Sequence, residues 1–185
     1  MNILAWNYRG CGGLAIIRNI KSILHSTATK LAFLFEMKCN SAKANSIISS
    51  LPLRQSYVVS AQGHSGGLWL LWDDSIKLQV LEASSQFIFS TINDPSSATV
   101  WIFGGVYGDS HHGLDDVLWG RIRHYATGPI PFCYMGDFNA ITSTFEKIGG
   151  LASSLSRWTI FSSRIGNAGL KDLGFAGPAF TWSNR

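Results

Sequence analysis

The apolar residues fall first into a short run, Asn2 to Trp6, that reads as a strand, and Tyr8-Arg9-Gly10-Cys11-Gly12-Gly13 forms a glycine-rich turn out of it. Leu14, Ile17, Ile20 and Leu24 then recur at helical spacing, and Leu31 to Phe35 is a continuous apolar run of strand length. The unit so predicted is strand, helix, strand. Ser41 is positioned to cap a second helix whose apolar face is Ala44, Ile47, Ile48 and Leu51, with Pro52 as its stop.

From Tyr57 to Tyr107 the texture changes to successive short strands: Tyr57 to Ser60, Gly67 to Trp72, Ile76 to Leu81, Gln86 to Ile92 and Thr99 to Val106. Ile76, Leu78 and Val80 alternate with Lys77, Gln79 and Leu81, close to the period of two of a half-buried strand, so this stretch is predicted to be an antiparallel meander. Leu114, Val117, Leu118, Arg121, Ile122 and Tyr125 restore helical spacing, and Pro129 and Pro131 end it. Phe132 to Met135 forms another buried strand, after which Gly136 is expected to open a loop. A last amphipathic stretch, Leu155, Trp158, Phe161 and Ile165, closes at Gly166-Asn167, ahead of Leu170 to Leu173 and a strand-like Phe180-Thr181-Trp182. With no repeat, linker or low-complexity segment, the pattern predicts one mixed α/β (α+β) domain over residues 1–185, two sheets with helices outside.

Composition narrows the class. With 46% hydrophobic and 12% aromatic residues against 14% charged, the chain is too apolar for intrinsic disorder. Its densest apolar stretches, Gly67 to Trp72 and Val100 to Phe103, fall well short of the roughly 18 residues that span a bilayer. Met1 leads straight into a strand-like run without the layout of a secretory signal, so an intracellular protein with no membrane partner is expected. Cys11, Cys39 and Cys133 are odd in number and lack metal-ligand spacing, which fits a reducing compartment. A formal charge of +4 mildly favours polyanionic partners and decides nothing by itself.

Candidate chemistry sits where polar residues end apolar strands, because a rigid scaffold presents side chains to solvent there. Asn7 follows Trp6, Glu36 follows Phe35, Tyr107 closes the Val100 to Val106 strand, and Asp137 with Asn139 follows Phe132 to Met135. In an extended Asp137-Phe138-Asn139, carboxylate and amide share one side while Phe138 points to the core. Magnesium is commonly held by one or two carboxylates plus waters and substrate phosphate oxygens, so Glu36 could anchor it. Asn7 could orient that carboxylate or its water, Asp137 could orient or deprotonate an attacking water, and Asn139 could donate to a phosphate oxygen. On spacing alone, isolated Asn, Asp and Glu residues at strand ends more often cap turns.

The same residues carry a resemblance. Asn2-Ile3-Leu4-Ala5-Trp6-Asn7, Phe33-Leu34-Phe35-Glu36-Met37-Lys38, Gly66-Gly67-Leu68-Trp69-Leu70-Leu71-Trp72, Val106-Tyr107-Gly108 and Gly136-Asp137-Phe138-Asn139 occur in the order seen in the endonuclease/exonuclease/phosphatase (DNase I-like) superfamily. The chain resembles its plant LINE-type retrotransposon branch, also through Glu146 to Gly150, Leu170 to Phe175 and Phe180 to Asn184. The resemblance implies a four-layer sandwich of two mainly antiparallel sheets flanked by helices, and Mg²⁺-dependent (Mn²⁺ possible) phosphodiester hydrolysis at one rim. It matches Glu36 to the metal-binding glutamate, Asn7 to the asparagine beside it, Tyr107 to the active-site tyrosine, and Asp137 and Asn139 to the D-x-N pair. It makes DNA the partner, to be nicked for the priming of reverse transcription, with no small-molecule cofactor and a nuclear location for a working enzyme; it leaves oligomeric state open.

Departures matter too. Tyr8 stands where the branch usually has Cys, Phe35-Glu36-Met37 where it has Ser-Glu-Thr, and Ala140 where it has Glu. The family continues into a serine-aspartate-histidine motif that supplies the catalytic histidine and its aspartate, and Arg185 precedes it. The expectation is therefore a domain incomplete at its C-terminus, lacking its final strands and impaired in catalysis. None of His25, His64, His111, His112 and His124 stands in that motif, and none is assigned a role. Gly10, Gly12 and Gly13 could cradle phosphate at a helix start or simply serve the turn. Arg9, Arg18, Lys38 and Lys147 could contact phosphates, although surface Lys and Arg are the default. Most of the seven tryptophans belong to apolar strands and helices, leaving only Trp182 near a substrate rim. Two other readings stay open: a non-catalytic retrotransposon remnant or nucleic-acid-binding fragment, and a superfamily phosphatase acting on a small phosphorylated substrate.

Overall fold

The computed structural model describes residues 1–10, 13–61, 66–95, 99–108, 116–149, 155–178 and 180. The expectations for Cys11, Gly12, His64, His111, His112, Leu114, Gly150 and the Thr181 to Asn184 stretch lie outside the described residues. The chain forms two compact units, Met1–Tyr107 with Ile130–Asp137, and Gly108–Pro129 with Phe138–Arg185.

The first unit runs β1 (Asn2–Asn7), α1 (Leu14–Ser26), β2 (Thr29–Phe35), α2 (Ser41–Ile48), β3 (Gln55–Val59), β4 (Leu68–Trp72), β5 (Lys77–Ala83), β6 (Phe87–Asn93) and β7 (Val100–Tyr107), and recovers β8 (Phe132–Asp137) later in the chain. Two four-stranded mixed sheets result, ordered β1-β2-β4-β3 and β5-β6-β7-β8. β1 with β2 and β7 with β8 are parallel, and every other pairing is antiparallel. The architecture is an α+β sandwich, as the patterning predicts.

The continuous apolar run of β2 has its reason in this layering. Leu31, Phe33 and Phe35 enter a core shared with Leu68, Leu70, Ile88, Ile92 and Phe103, which joins the two sheets. Ala32 and Leu34, on the opposite face, pack with Ile20 and Leu24 of α1, Ile47 and Ile48 of α2, and Trp69 and Leu71 of β4. A strand buried on both faces cannot alternate apolar with polar, and each fully buried Leu or Phe is worth about 1.5–3 kcal/mol relative to exposure. β5 has one wet face: Leu78 and Val80 are partly buried while Lys77, Gln79 and Leu81 are exposed. The sheets approach closely at Gly105, where an added Cβ would come within 2.5 Å of the Phe33 ring.

Three expectations about the first unit need correction. The cap of α2 is Asn40, not Ser41: the Asn40 Oδ1 accepts from the Lys43 N–H at 3.0 Å, and Ser41 is the first helical residue. An Asn one step earlier reaches the third helical N–H, the one a cap satisfies. The stretch from Tyr57 to Tyr107 is not one meander, because β3 and β4 join the first sheet and only β5 to β7 form the antiparallel run. The crossing is made by a tight turn in which Asp73 Oδ1 accepts from both the N–H and the hydroxyl of Ser75. Gly136 opens no loop: it lies within β8, opposite Val106.

The second unit contains α3 (Asp116–Ala126), a single 3₁₀ turn at Thr144–Glu146 and α4 (Leu155–Asn167). Trp119, Phe138 and Phe161 form its aromatic centre, with ring centroids 5.6–5.8 Å apart. Arg164 of α4 clamps it to α3 through a 2.7 Å ion pair with Asp116. Leu170 to Leu173 and Phe180 have no regular structure, so the strand expected around Phe180 does not start there.

Candidate active site

Four of the five sequence-predicted residues lie in the first unit, three ending strands and Glu36 one residue past a strand end, and the sheet register puts them side by side in pairs. Asn7 is the last residue of β1 and lies opposite Phe35, the last of β2, so Glu36 is the next residue beyond that strand end. Tyr107 closes β7 directly opposite Asp137, the last residue of β8. Parallel pairing is what brings each pair to the same end, since parallel neighbours present their C-terminal ends together.

Two hydrogen bonds link the strand ends. The Tyr107 hydroxyl donates to Glu36 Oε1, joining the β7 end of one sheet to the β2 end of the other. The Asn7 amide Nδ2 donates to Asp137 Oδ2 at 3.4 Å, joining β1 to β8. Tyr107 is aimed by packing, because its ring lies 5.6 Å from that of Phe35, the residue before Glu36. Asn7 is aimed by its own turn, because its Oδ1 accepts the Arg9 backbone N–H at 3.3 Å. The Glu36 side chain is 19% exposed, shielded yet reachable from water.

The backbone around Glu36 is unusual. Glu36 and Lys38 have φ of +57° and +50°, the left-handed region that L side chains rarely adopt. The N–H groups of Met37 and Lys38 donate to the carbonyls of Gly67 and Gly66, at 3.3 and 3.1 Å, so the turn is held by the segment leading into β4. Gly67 itself has a φ of +87°, a conformation that L side chains rarely adopt and that favours glycine there. Left-handed residues other than glycine persist where the surroundings over-determine them, and they gather at functional sites. Lys38 Nζ lies 3.7 Å from Glu36 Oε2. Sequence reasoning names Lys38 as a phosphate contact and misses this pairing, since only the two left-handed residues bring it about.

Asn139 is the fifth residue and belongs to the second unit. Its φ of +50° overturns the extended Asp137-Phe138-Asn139 expected from the sequence. The strand ends at Asp137, so the period-of-two rule no longer applies beyond it. Asn139 is exposed, and its Nδ2 donates to the Gly108 carbonyl. Asn tolerates the left-handed region better than most residues because its short amide bonds locally.

The donor set around Glu36 suits a hard, water-rich cation. Glu36 offers carboxylate oxygen, and Asn7 ends the neighbouring strand opposite Phe35; Mg²⁺ is usually held by one or two carboxylates and keeps several waters. Tyr8, where the resembling branch usually has Cys, donates its hydroxyl to the Ile16 carbonyl at 2.8 Å and ties the glycine-rich turn to α1. Burial holds its phenol above the ordinary range. His25 stands in the last turn of α1 and His124 in that of α3.

No protein-family model and no curated protein sequence matches the chain. Solved structures do. The AP endonuclease LMAP from Leishmania major aligns over 90% of this chain and 65% of its own length, with 14% identity and a TM-score of 0.66. The endonuclease domain of TRAS1, a telomere-specific non-LTR retrotransposon, aligns over 94% of this chain and 73% of its own length, with 16% identity and a TM-score of 0.66. TDP2 of D. rerio, complexed with a single-strand DNA product, aligns over 93% of this chain and 66% of its own, with 14% identity and a TM-score of 0.54. This chain thus spans just under two thirds of the Leishmania enzyme. At such identities the likeness is one of fold.

Proposed function

We propose that this chain, whose fold is that of the DNase I-like endonuclease/exonuclease/phosphatase superfamily, is a Mg²⁺- or Mn²⁺-dependent phosphodiester hydrolase acting on DNA, of the kind carried by LINE-type retrotransposons. The observation that carries the reading is the Tyr107 to Glu36 bond, which joins strand ends of two different sheets around one half-buried carboxylate. A turn-capping glutamate needs no partner from another sheet. The sequence motifs of the LINE branch and the TRAS1 endonuclease among the structural neighbours support the choice of substrate.

In this reading Glu36, with Asn7 beside it, holds the metal, which when bound lends positive charge to the phosphate and its leaving oxygen. Tyr107 fixes one oxygen of Glu36 and so sets the direction of the other. Asp137, held by the Asn7 amide, orients the attacking water and takes up its proton. Asn139 donates to a phosphate oxygen, a role taken from the D-x-N pattern. A DNA substrate would bring the chain to the nucleus.

The test is supercoiled plasmid incubated with Mg²⁺ or Mn²⁺ and the wild-type chain or its Glu36→Ala variant. Metal-dependent nicking that Glu36→Ala abolishes is the expected result. Nicking equal in both proteins overturns the assignment, and hydrolysis confined to a small phosphorylated substrate such as p-nitrophenyl phosphate points instead to a phosphatase.

A further inference from the structure

We propose that Lys38 is the resident counter-cation of Glu36: it sits against the carboxylate when metal and phosphodiester are absent, and leaves it for the phosphodiester when both bind. The inference rests on the reading of Glu36 as the metal-holding residue. It adds a positioning residue that couples metal binding to substrate binding.

Both oxygens of Glu36 are engaged in the structure. The Tyr107 hydroxyl donates to Oε1, and Lys38 Nζ lies 3.7 Å from Oε2, too long for a strong hydrogen bond but close for an ion pair. An incoming divalent cation that takes Oε2 therefore meets an ammonium within a few ångströms. Two positive charges, one of them double, about 5 Å apart in a watery setting repel enough to weaken binding roughly tenfold. Lys38 is free to swing away because its side chain is 38% exposed and its charge sits at the end of a four-carbon stem. A phosphodiester supplies the negative charge that draws it off.

The pairing is built rather than incidental to a surface lysine. Lys38 holds a left-handed φ of +50°, two residues past Glu36 at +57°, and its N–H is tied to the Gly66 carbonyl at 3.1 Å. Gly10, in the turn after β1, lies in van der Waals reach of the lysine stem, a Cβ built there being 3.8 Å from Lys38 Cδ.

Calorimetric titration of Mn²⁺ into the wild-type chain and into Lys38→Met, Lys38→Arg and Glu36→Gln tests the proposal without any turnover. Each titration is run alone and with a single-stranded phosphorothioate oligonucleotide. Lys38→Met should bind Mn²⁺ about tenfold more tightly than wild type without oligonucleotide, and should gain less when it is added. Lys38→Arg, which keeps the charge, should behave as wild type. Equal Mn²⁺ affinity in wild type and Lys38→Met, with Glu36→Gln binding weakly, overturns the counter-cation role alone. Unchanged affinity in Glu36→Gln overturns the metal-site reading beneath it. Lys38→Gln serves as a second neutral variant should Lys38→Met fail to fold.

Discussion

The Tyr107 hydroxyl donates to the Glu36 carboxylate, and the two residues come from different sheets: Tyr107 ends β7 and Glu36 follows β2. The Tyr107 ring packs against Phe35 with centroids 5.6 Å apart, so the phenol is aimed by the intersheet core rather than by its own loop. Packing that stabilises the sandwich thereby also orients the candidate metal-holding group.

Tyr107→Phe keeps the ring and removes only the hydroxyl. A hydrogen bond to a charged group contributes about 1.5–3 kcal/mol, and partial exposure of this pair brings the expected loss to about 1 kcal/mol. Urea unfolding should show that loss with an unchanged m-value. Mn²⁺ affinity should shift as well, because Glu36 is then free to rotate; a stability loss with unaltered affinity would limit Tyr107 to a structural role.

How far the sequence discloses all this differs by element. β2 and β4 are legible because strands buried on both faces read as unbroken apolar runs, and β5 because its wet face alternates. The division of the middle strands between two sheets is not legible. The Asp73-Asp74-Ser75 turn has the residues of an ordinary hairpin turn, and only the pairing of β4 with β2 shows that the chain leaves the first sheet there. Asn7, Glu36, Tyr107 and Asp137 can be picked out as strand ends, since the apolar runs stop at them. The left-handed backbone of Glu36, Lys38 and Asn139 cannot, because positive φ outside glycine is imposed by surrounding packing and leaves no mark in composition. For that reason the sequence does not disclose the Lys38 to Glu36 pair, and its pattern puts Asn139 in an extended segment.

Gly105→Ala should be among the more damaging substitutions of a small residue. The added Cβ would come within 2.5 Å of the Phe33 ring, which is fully buried and has no room to yield. Overpacking of this kind costs about 1–3 kcal/mol, read as a lower urea midpoint. A variant as stable as wild type would mean that the two sheets can separate locally at no cost.

Asp73 gives the fold a pH-dependent component. The Ser75 hydroxyl and N–H hold its carboxyl below the ordinary value of 3.8. A carboxyl lowered in the folded state contributes stability above its unfolded value, and that contribution is lost as pH falls through the lower, folded value. Thermal melts of wild type and Ser75→Ala should therefore differ at pH 6 and converge as the solution is acidified well below the ordinary value of 3.8. A difference that stays constant across that range would show that Ser75 acts through its bond to Lys30 instead.

Asn7 and Asp137 should act as one unit in any hydrolysis by this chain. The Asn7 amide donates to Asp137 Oδ2 at 3.4 Å, while its own oxygen is taken by the Arg9 N–H, so Asn7 is fixed at one end and holds the carboxylate with the other. If Asp137 positions the attacking water, removing the Asn7 amide loosens the hold on its carboxylate, and losing Asp137 removes the group altogether. Asp137→Ala is expected to lower plasmid nicking by at least about 10²-fold, and Asn7→Ala by a smaller factor. The double variant should be no slower than Asp137→Ala alone, because residues that act through one another are not additive. Asn7→Asp, which sets a second carboxylate beside Asp137, should be worse than Asn7→Ala through like-charge repulsion. Independent, multiplying losses in the double variant would separate the two residues and leave Asn7 with the metal alone.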